Sequence, residues 1–248
     1  MKNKKQIVGG IHPVLEAINA GREFNRIYIR KGLNNDQFKE LFRYIRERRI
    51  PFQYVPVEKL NRISNINHQG VIAELSIIEY KSIEEIVQRT FEEGRDPLIV
   101  ILDQLTDVRN FGAIARTAEC SGVDALVIPS QGSVSITPDA IKSSAGALHR
   151  VNVCRSEKLT TTVQYLRNSG IQIVAATEKA NDLYFTADMT GPLAIILGSE
   201  EKGISQPVLQ NVDKLIKIPL FGNVQSLNVS VACGIILFET IRQKSFGS

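Results

Sequence analysis

From residue 97 onward, short apolar runs alternate with stretches of helical periodicity. The runs Leu98–Leu102, Ala125–Ile128, Val151–Cys154, Ile171–Ala175, Leu193–Leu197 and Leu215–Ile218 are each four or five residues long. Largely apolar runs of that length suit strands covered on both sheet faces, with the helical segments between them acting as crossovers. The pattern predicts an α/β fold, a mostly parallel sheet with helices on both faces. A long apolar helix closes the chain and ends near Arg242. Gly122 and Gly170 stand where helices should stop.

The first 75 residues predict a small α/β unit of their own. Pro13 marks a helix start before Val14-Leu15-Glu16-Ala17-Ile18, Gly21 stands near its end, and Arg26–Arg30 reads as a strand. Asn34 or Asn35 can cap a second helix with Phe38, Leu41, Phe42 and Ile45 along its apolar stripe and Arg43, Arg46, Arg48 and Arg49 off it. Phe52–Val55 and Gly70–Leu75 look like further strands. The organisation expected is therefore residues 1–75, a linker at 76–96 carrying one short acidic helix, and a larger unit at 97–248.

At 248 residues and 43% hydrophobic content, the chain can fill two modest cores. No stretch approaches the roughly 20 apolar residues of a membrane span, and the lysine-rich start runs into Val8-Gly9-Gly10 without an apolar signal core. A cytoplasmic protein without a membrane partner is expected. Cys120, Cys154 and Cys233 are odd in number and widely spaced, which suits buried free thiols in a reducing compartment better than disulfides or zinc. His12, His68 and His149 are too scattered for a triad or metal site, so no metal is expected.

Charge divides the chain more sharply than its total of +4 suggests. Residues 1–75 hold 14 Lys and Arg against 7 Asp and Glu, a net of +7; residues 76–248 hold 16 against 19, a net of −3. The basic first part suits a polyanion. Seven of the 16 aromatic residues also fall there, several in strand-like positions where core packing explains them.

An α/β sheet invites a nucleotide reading, but the usual signatures are missing. No GxGxxG follows a first strand, and Gly198-Ser199-Glu200-Glu201-Lys202-Gly203 lacks the Gly-Lys-Ser/Thr ending of a phosphate loop. Three other segments place polar residues at the carboxyl ends of predicted strands, where open α/β sheets bind ligands. They are 102–118, with Asn110 and Arg116; 195–204, with Gly198 and Glu200; and 218–232, with Ser226 and Asn228. Taken singly, Asn110, Ser226 and Asn228 are equally readable as helix caps, Arg116 as a surface helix residue and Glu200 as a solvated turn carboxylate.

In this order and at these separations, the three segments resemble the motifs of the SpoU (TrmH-like) family of RNA ribose methyltransferases. Residues 9–75, beginning Gly9-Gly10-Ile11-His12-Pro13-Val14, are similar to the ribosomal-protein-like RNA-binding domain of the branch that methylates a guanosine ribose in large-subunit (23S) ribosomal RNA. The resemblance implies a trefoil-knotted catalytic domain, S-adenosylmethionine as methyl donor, RNA as partner, and a homodimer with shared active sites. It carries catalytic roles to Asn110, Arg116, Glu200, Ser226 and Asn228, and cofactor contacts to Gly198, Ile218 and Leu227. Where many relatives have a proline before the motif asparagine, this chain has Val108-Arg109.

The implied reaction is in-line attack of a ribose 2′-oxygen on a sulfonium methyl group, in which positioning supplies much of the acceleration. Arg116 is either an unusually perturbed base or a phosphate anchor, since a guanidinium ordinarily keeps its proton. Glu200, from the same chain or from the other protomer, is expected to hold Arg116 or its partners in place. The competing readings are a tRNA ribose 2′-O-methyltransferase and a non-catalytic RNA-binding ribosome-assembly protein of the same fold.

Overall fold

The computed structural model describes residues 6–246, so the lysine-rich start, Met1 to Lys5, lies outside the described residues. The chain divides into two compact units. One is built by residues up to Glu79 together with Ser135–Pro138, the other by Tyr80–Val134 and the chain from Asp139 onward.

In the first unit, β1 (Ile7–Gly9), α1 (Ile11–Asn19), β2 (Phe24–Arg30), α2 (Asp36–Glu47), β3 (Phe52–Val55), α3 (Val57–Ile63) and β4 (Val71–Leu75) follow in order. Their sheet runs β1-β4-β2-β3, with β4 antiparallel to both neighbours and β2 parallel to β3. Asn35 caps α2, its side-chain oxygen accepting from Phe38 N at 2.8 Å. Phe38, Leu41 and Ile45 are buried, while Arg43, Arg46, Arg48 and Arg49 stay exposed. The two elements without a predicted counterpart, β1 and α3, are too short to show a period.

The unit does not stop at residue 75. Asn25, 4% exposed, donates its amide to Leu75 O at 3.2 Å and Ile136 O at 2.8 Å, and its side-chain oxygen accepts from Ile136 N at 3.3 Å. The side chain thus satisfies both backbone groups of a wholly buried residue, much as a neighbouring strand would. No sequence period reports such a long-range pairing.

The second unit contains β5 (Tyr80–Lys81), α4 (Ile83–Glu92), β6 (Leu98–Asp103), α5 (Val108–Cys120), β7 (Ala125–Pro129), α6 (Pro138–Ser143, its first residue grouped with the other unit), β8 (Val153–Ser156), α7 (Leu159–Asn168), β9 (Gln172–Ala176), β10 (Asp182–Leu183), β11 (Leu193–Gly198), α8 (Gln206–Leu209), β12 (Lys214–Lys217) and α9 (Val229–Phe246). The eight strands form one sheet in the order β10-β12-β9-β11-β6-β7-β8-β5, and every pairing is parallel. On one face, alternate residues such as Ile99, Ile101, Val127 and Ile196 pack with α4, α7 and α8. The intervening residues Val100, Leu102, Leu126 and Ile195 point the other way and are equally buried. On that face α5 and α9 pack together, and α9 meets β11.

Two expectations need correction. The segment 76–96 is not a free linker: β5 pairs with β8, and Ile83, Ile86 and Val87 of α4 enter the second core. Its helix is amphipathic because it covers a sheet. Cys154 and Cys233 are buried, their thiols pushed up to about 12 by burial, but Cys120 is exposed at the end of α5.

Replacing Asn25 by Ala strands the Ile136 N–H and C=O, which should cost about 1–3 kcal/mol. Chemical denaturation of the full chain measures this. A loss within about 0.5 kcal/mol, ordinary for a surface change, would show that the pairing contributes nothing.

Candidate active site

Strands β6, β9, β11 and β12 end along one edge of the parallel sheet, with Gly198 paired beside Asp103 in the last register of β11 and β6. The chain beyond β6 is reversed by Leu105, Thr106 and Asp107 before α5 starts. Asp107 is the N-cap, its Oδ1 accepting from Arg109 N at 2.8 Å and Asn110 N at 2.7 Å. Asn110 is therefore not a cap, and its amide is available for longer-range contacts. Asp107, immediately ahead of the helical pattern, was the legible start signal.

Those contacts join all three polar segments. Glu200 Oε1 accepts from Asn228 Nδ2 at 2.7 Å, from Val229 N at 3.1 Å and from Asn110 Nδ2 at 3.3 Å. Asn228 Nδ2 also donates to Asn110 Oδ1 at 2.9 Å. Asn228 is at the same time the cap of α9: its Oδ1 accepts from Ser230 N at 2.9 Å, Val231 N at 3.4 Å and Ser230 Oγ at 2.5 Å. The cap reading and the cluster reading of Asn228 are both realised, because its oxygen serves the helix and its amide serves Glu200.

Gly198 allows the Glu200 loop to turn back over the strand end. Ser199 O accepts from Gly203 N at 2.8 Å, and Gly203 adopts a φ of +64°. A Cβ on Gly198 would lie 2.1 Å from the Gly203 carbonyl carbon and 2.4 Å from Ile204 N. Both atoms are backbone, so only displacement of the loop could relieve the overlap.

Under this loop lies a cavity of about 480 Å³, lined by Gly198, Glu200, Ile218, Ser226 and Leu227 among the expected site residues. Thr177 and Glu178, beyond β9, and Leu220, beyond β12, also line it. Leu220 falls within the third polar segment, 218–232, whereas Thr177 and Glu178 were not singled out in the sequence. Their only signal was position at the carboxyl edge of a strand, which becomes informative once strand order is known. Ser226 is exposed and stands outside the hydrogen-bonded cluster. Arg116 is exposed on α5 and makes no hydrogen bond or ion pair with the described residues. Within its own chain, Glu200 thus holds Asn110 and Asn228.

The residues present fit the donor expected from the resemblance. Leu197, Ile216 and Leu227 offer apolar surface for an adenine ring, strand-end backbone offers hydrogen bonds, and the volume lies within the roughly 300–1,000 Å³ usual for small-molecule sites. Gly198 keeps the loop close enough to form one wall. Among the described residues no His, Cys, Asp and Glu group could hold a metal ion.

The Gly198→Ala variant should bind S-adenosylmethionine at least about tenfold more weakly, a loss of about 1.4 kcal/mol, while keeping its far-UV circular dichroism. Calorimetry measures the first quantity. Unchanged affinity would mean that the Glu200 loop does not form the donor wall.

Comparison with known proteins agrees with this geometry. Residues 97–238 match the SpoU rRNA Methylase family, and residues 7–81 match the family described as RNA 2′-O ribose methyltransferase substrate binding. A Staphylococcus haemolyticus protein assigned to the TrmH family of tRNA/rRNA methyltransferases is 38% identical over 240 residues, 96% of each chain. The SpoU methyltransferase AviRb from Streptomyces viridochromogenes, crystallised in complex with the cofactor AdoMet, shares the fold with a TM-score of 0.61 at 24% identity, over 96% of this chain and 90% of its own. The A. aeolicus TrmH/SpoU tRNA modifying enzyme is 32% identical, with a TM-score of 0.56, over 65% of this chain and 83% of its own. The chain belongs to the SpoU family of RNA methyltransferases, whose cofactor is S-adenosylmethionine.

Proposed function

We propose that this protein methylates the ribose 2′-hydroxyl of a guanosine in 23S ribosomal RNA. The observation that carries the reading is the meeting of Asn110, Glu200 and Asn228 beside the Gly198 cavity, because it brings three distant polar segments to one sheet edge. When bound, S-adenosylmethionine supplies an electrophilic methyl group on sulfur. Gly198, Ile218 and Leu227 are the residues that would hold it.

The chain's own contribution is positioning. Glu200 fixes the Asn110 amide and the start of α9, so the polar surface facing the ribose is set before RNA arrives. Ser226, exposed on the cavity wall, would hydrogen-bond the sugar. Arg116 is exposed and unpaired among the described residues, which favours the phosphate-anchor role over the base. Proton removal from the 2′-hydroxyl then falls to water or to a group carried by the RNA.

The first unit is the RNA-binding domain in this reading. Its support is the net charge of +7 in residues 1–75, the exposed arginines of α2 and the 7–81 match. A homodimer is part of the same proposal: α9 is apolar on several sides, and Val231 and Phe238 are 50% and 54% exposed on it. The trefoil knot belongs to the proposal too, supported by the grip of the Glu200 loop on Asn228 and Val229, the segments such a knot would draw together.

Mapping ribose methylation in a deletion strain tests the substrate. One 2′-O-methylguanosine in 23S ribosomal RNA should disappear, return with the intact gene, and stay absent with Arg116→Ala although that variant binds S-adenosylmethionine normally. An unchanged ribosomal map, or loss from transfer RNA instead, would overturn the assignment. Restoration by Arg116→Ala would remove both roles offered for the arginine.

A further inference from the structure

A second cavity of about 480 Å³ opens on the same sheet edge, over the ends of β6 and β7 and the start of α7. It shares Lys202 and Ser205 with the donor cavity, so the loop that carries Glu200 separates the two. Its floor is Asp103, 5% exposed. One carboxylate oxygen of Asp103, Oδ2, accepts from Ser205 N at 2.8 Å. The other has no partner among the described residues and is not sealed from the surface, so it faces the cavity.

A half-satisfied carboxylate in a mostly buried position calls for a donor. The next residue, Gln104, is held at a φ of +59°, a left-handed conformation costly for a side chain with a Cβ, and its Nε2 lies 3.4 Å from Gly203 O. Asp103 itself is held by the last register of β6 with β11, and the chain turns directly after it. Pro129, Leu159 and Pro207 give the walls an apolar character suited to a flat ring. Gln131, Lys158 and Lys202 stand exposed at the rim.

We infer that this cavity receives a guanine base of the RNA substrate, an inference that rests on the proposed action on RNA. Guanine presents N–H donors on one edge and the O6 and N7 acceptors on another, which matches a carboxylate floor facing ammonium and amide donors at a rim. Adenine and cytosine offer an exocyclic amine without that pair of acceptors, and uracil offers a single N–H. An unstacked base held between apolar walls with its polar edges read by side chains is the usual way single-stranded RNA is recognised. The lysines can meet the flanking phosphates.

The test uses the full chain with S-adenosylmethionine at saturation, which closes the donor cavity to nucleotides. Equilibrium dialysis with GMP, AMP, CMP and UMP should show GMP bound at least about fivefold more tightly than the others, a difference near 1 kcal/mol. GMP should also compete with RNA in methyl transfer, raising KM without lowering kcat, as a mimic of a base in the RNA must. Asp103→Asn keeps an acceptor for Ser205 N–H but turns the free oxygen into a donor, so it should erase the GMP preference while donor affinity stays unchanged. Should that variant fail to fold, the exposed rim variants Gln131→Ala and Lys158→Ala carry the test, each expected to weaken GMP about threefold. Equal binding of all four nucleotides, GMP binding without competition against RNA, or wild-type GMP affinity in the soluble variants would overturn the site. Methyl transfer by the wild-type chain separates the two levels: transfer without GMP preference overturns this site alone, while no transfer overturns the reading beneath it.

Discussion

Glu200 Oε1 receives an amide from Asn228, a backbone N–H from Val229 and an amide from Asn110, residues 28, 29 and 90 positions away in the chain. A single anionic acceptor thereby fixes where β11 ends, where α9 begins and how α5 presents its first turn. Hydrogen bonds to charged groups are worth more than neutral ones, about 1.5–3 kcal/mol each when protected. Glu200 is exposed, so solvent weakens this contribution and the gain lies chiefly in fixed geometry. The loop can hold that carboxylate in place because Gly198 and Gly203 let its backbone fold onto the strand end.

The parallel sheet sets the terms for everything at this edge. Its central strands are buried on both faces, so the polar groups that bind and react must sit beyond the strand ends. Two cavities occupy that edge, one over β9, β11 and β12 and the other over β6 and β7, with the Glu200 loop between them. A loop shared by two cavities is a short physical route by which occupancy of one can be felt in the other.

Much of this was readable in advance. The six apolar runs became six central strands, most plainly β6, β7 and β11, whose near-complete burial leaves no polar alternation to obscure them. The three polar segments were readable because each interrupts an apolar pattern at a strand end. Asn35 could be named as a cap for the same local reason. What the sequence did not disclose was long-range or very short: the two-residue strands β5 and β10, the Asn25 side chain pairing with Ile136, and the lining contributed by Thr177 and Glu178. The Asn110 and Asn228 ambiguity was also beyond local reading, since each was equally plausible as a cap. Asp107 offered a local cap signal for α5, but only the fold shows the Asn110 amide joining the cluster and Asn228 serving both ends of its side chain.

In the proposed function, the Glu200 charge assembles the reactive surface without forming the donor pocket alone. Glu200→Gln preserves size and one acceptor oxygen but removes the charge, and the most direct measurement is its single-turnover methyl transfer rate alongside calorimetric binding of S-adenosylmethionine. The expected rate is lower by about 10²-fold or more, comparable to removing a preorganised hydrogen-bonding group from an active site, with donor affinity within about threefold of wild type. A near-normal rate would contradict the claim that this carboxylate organises the site.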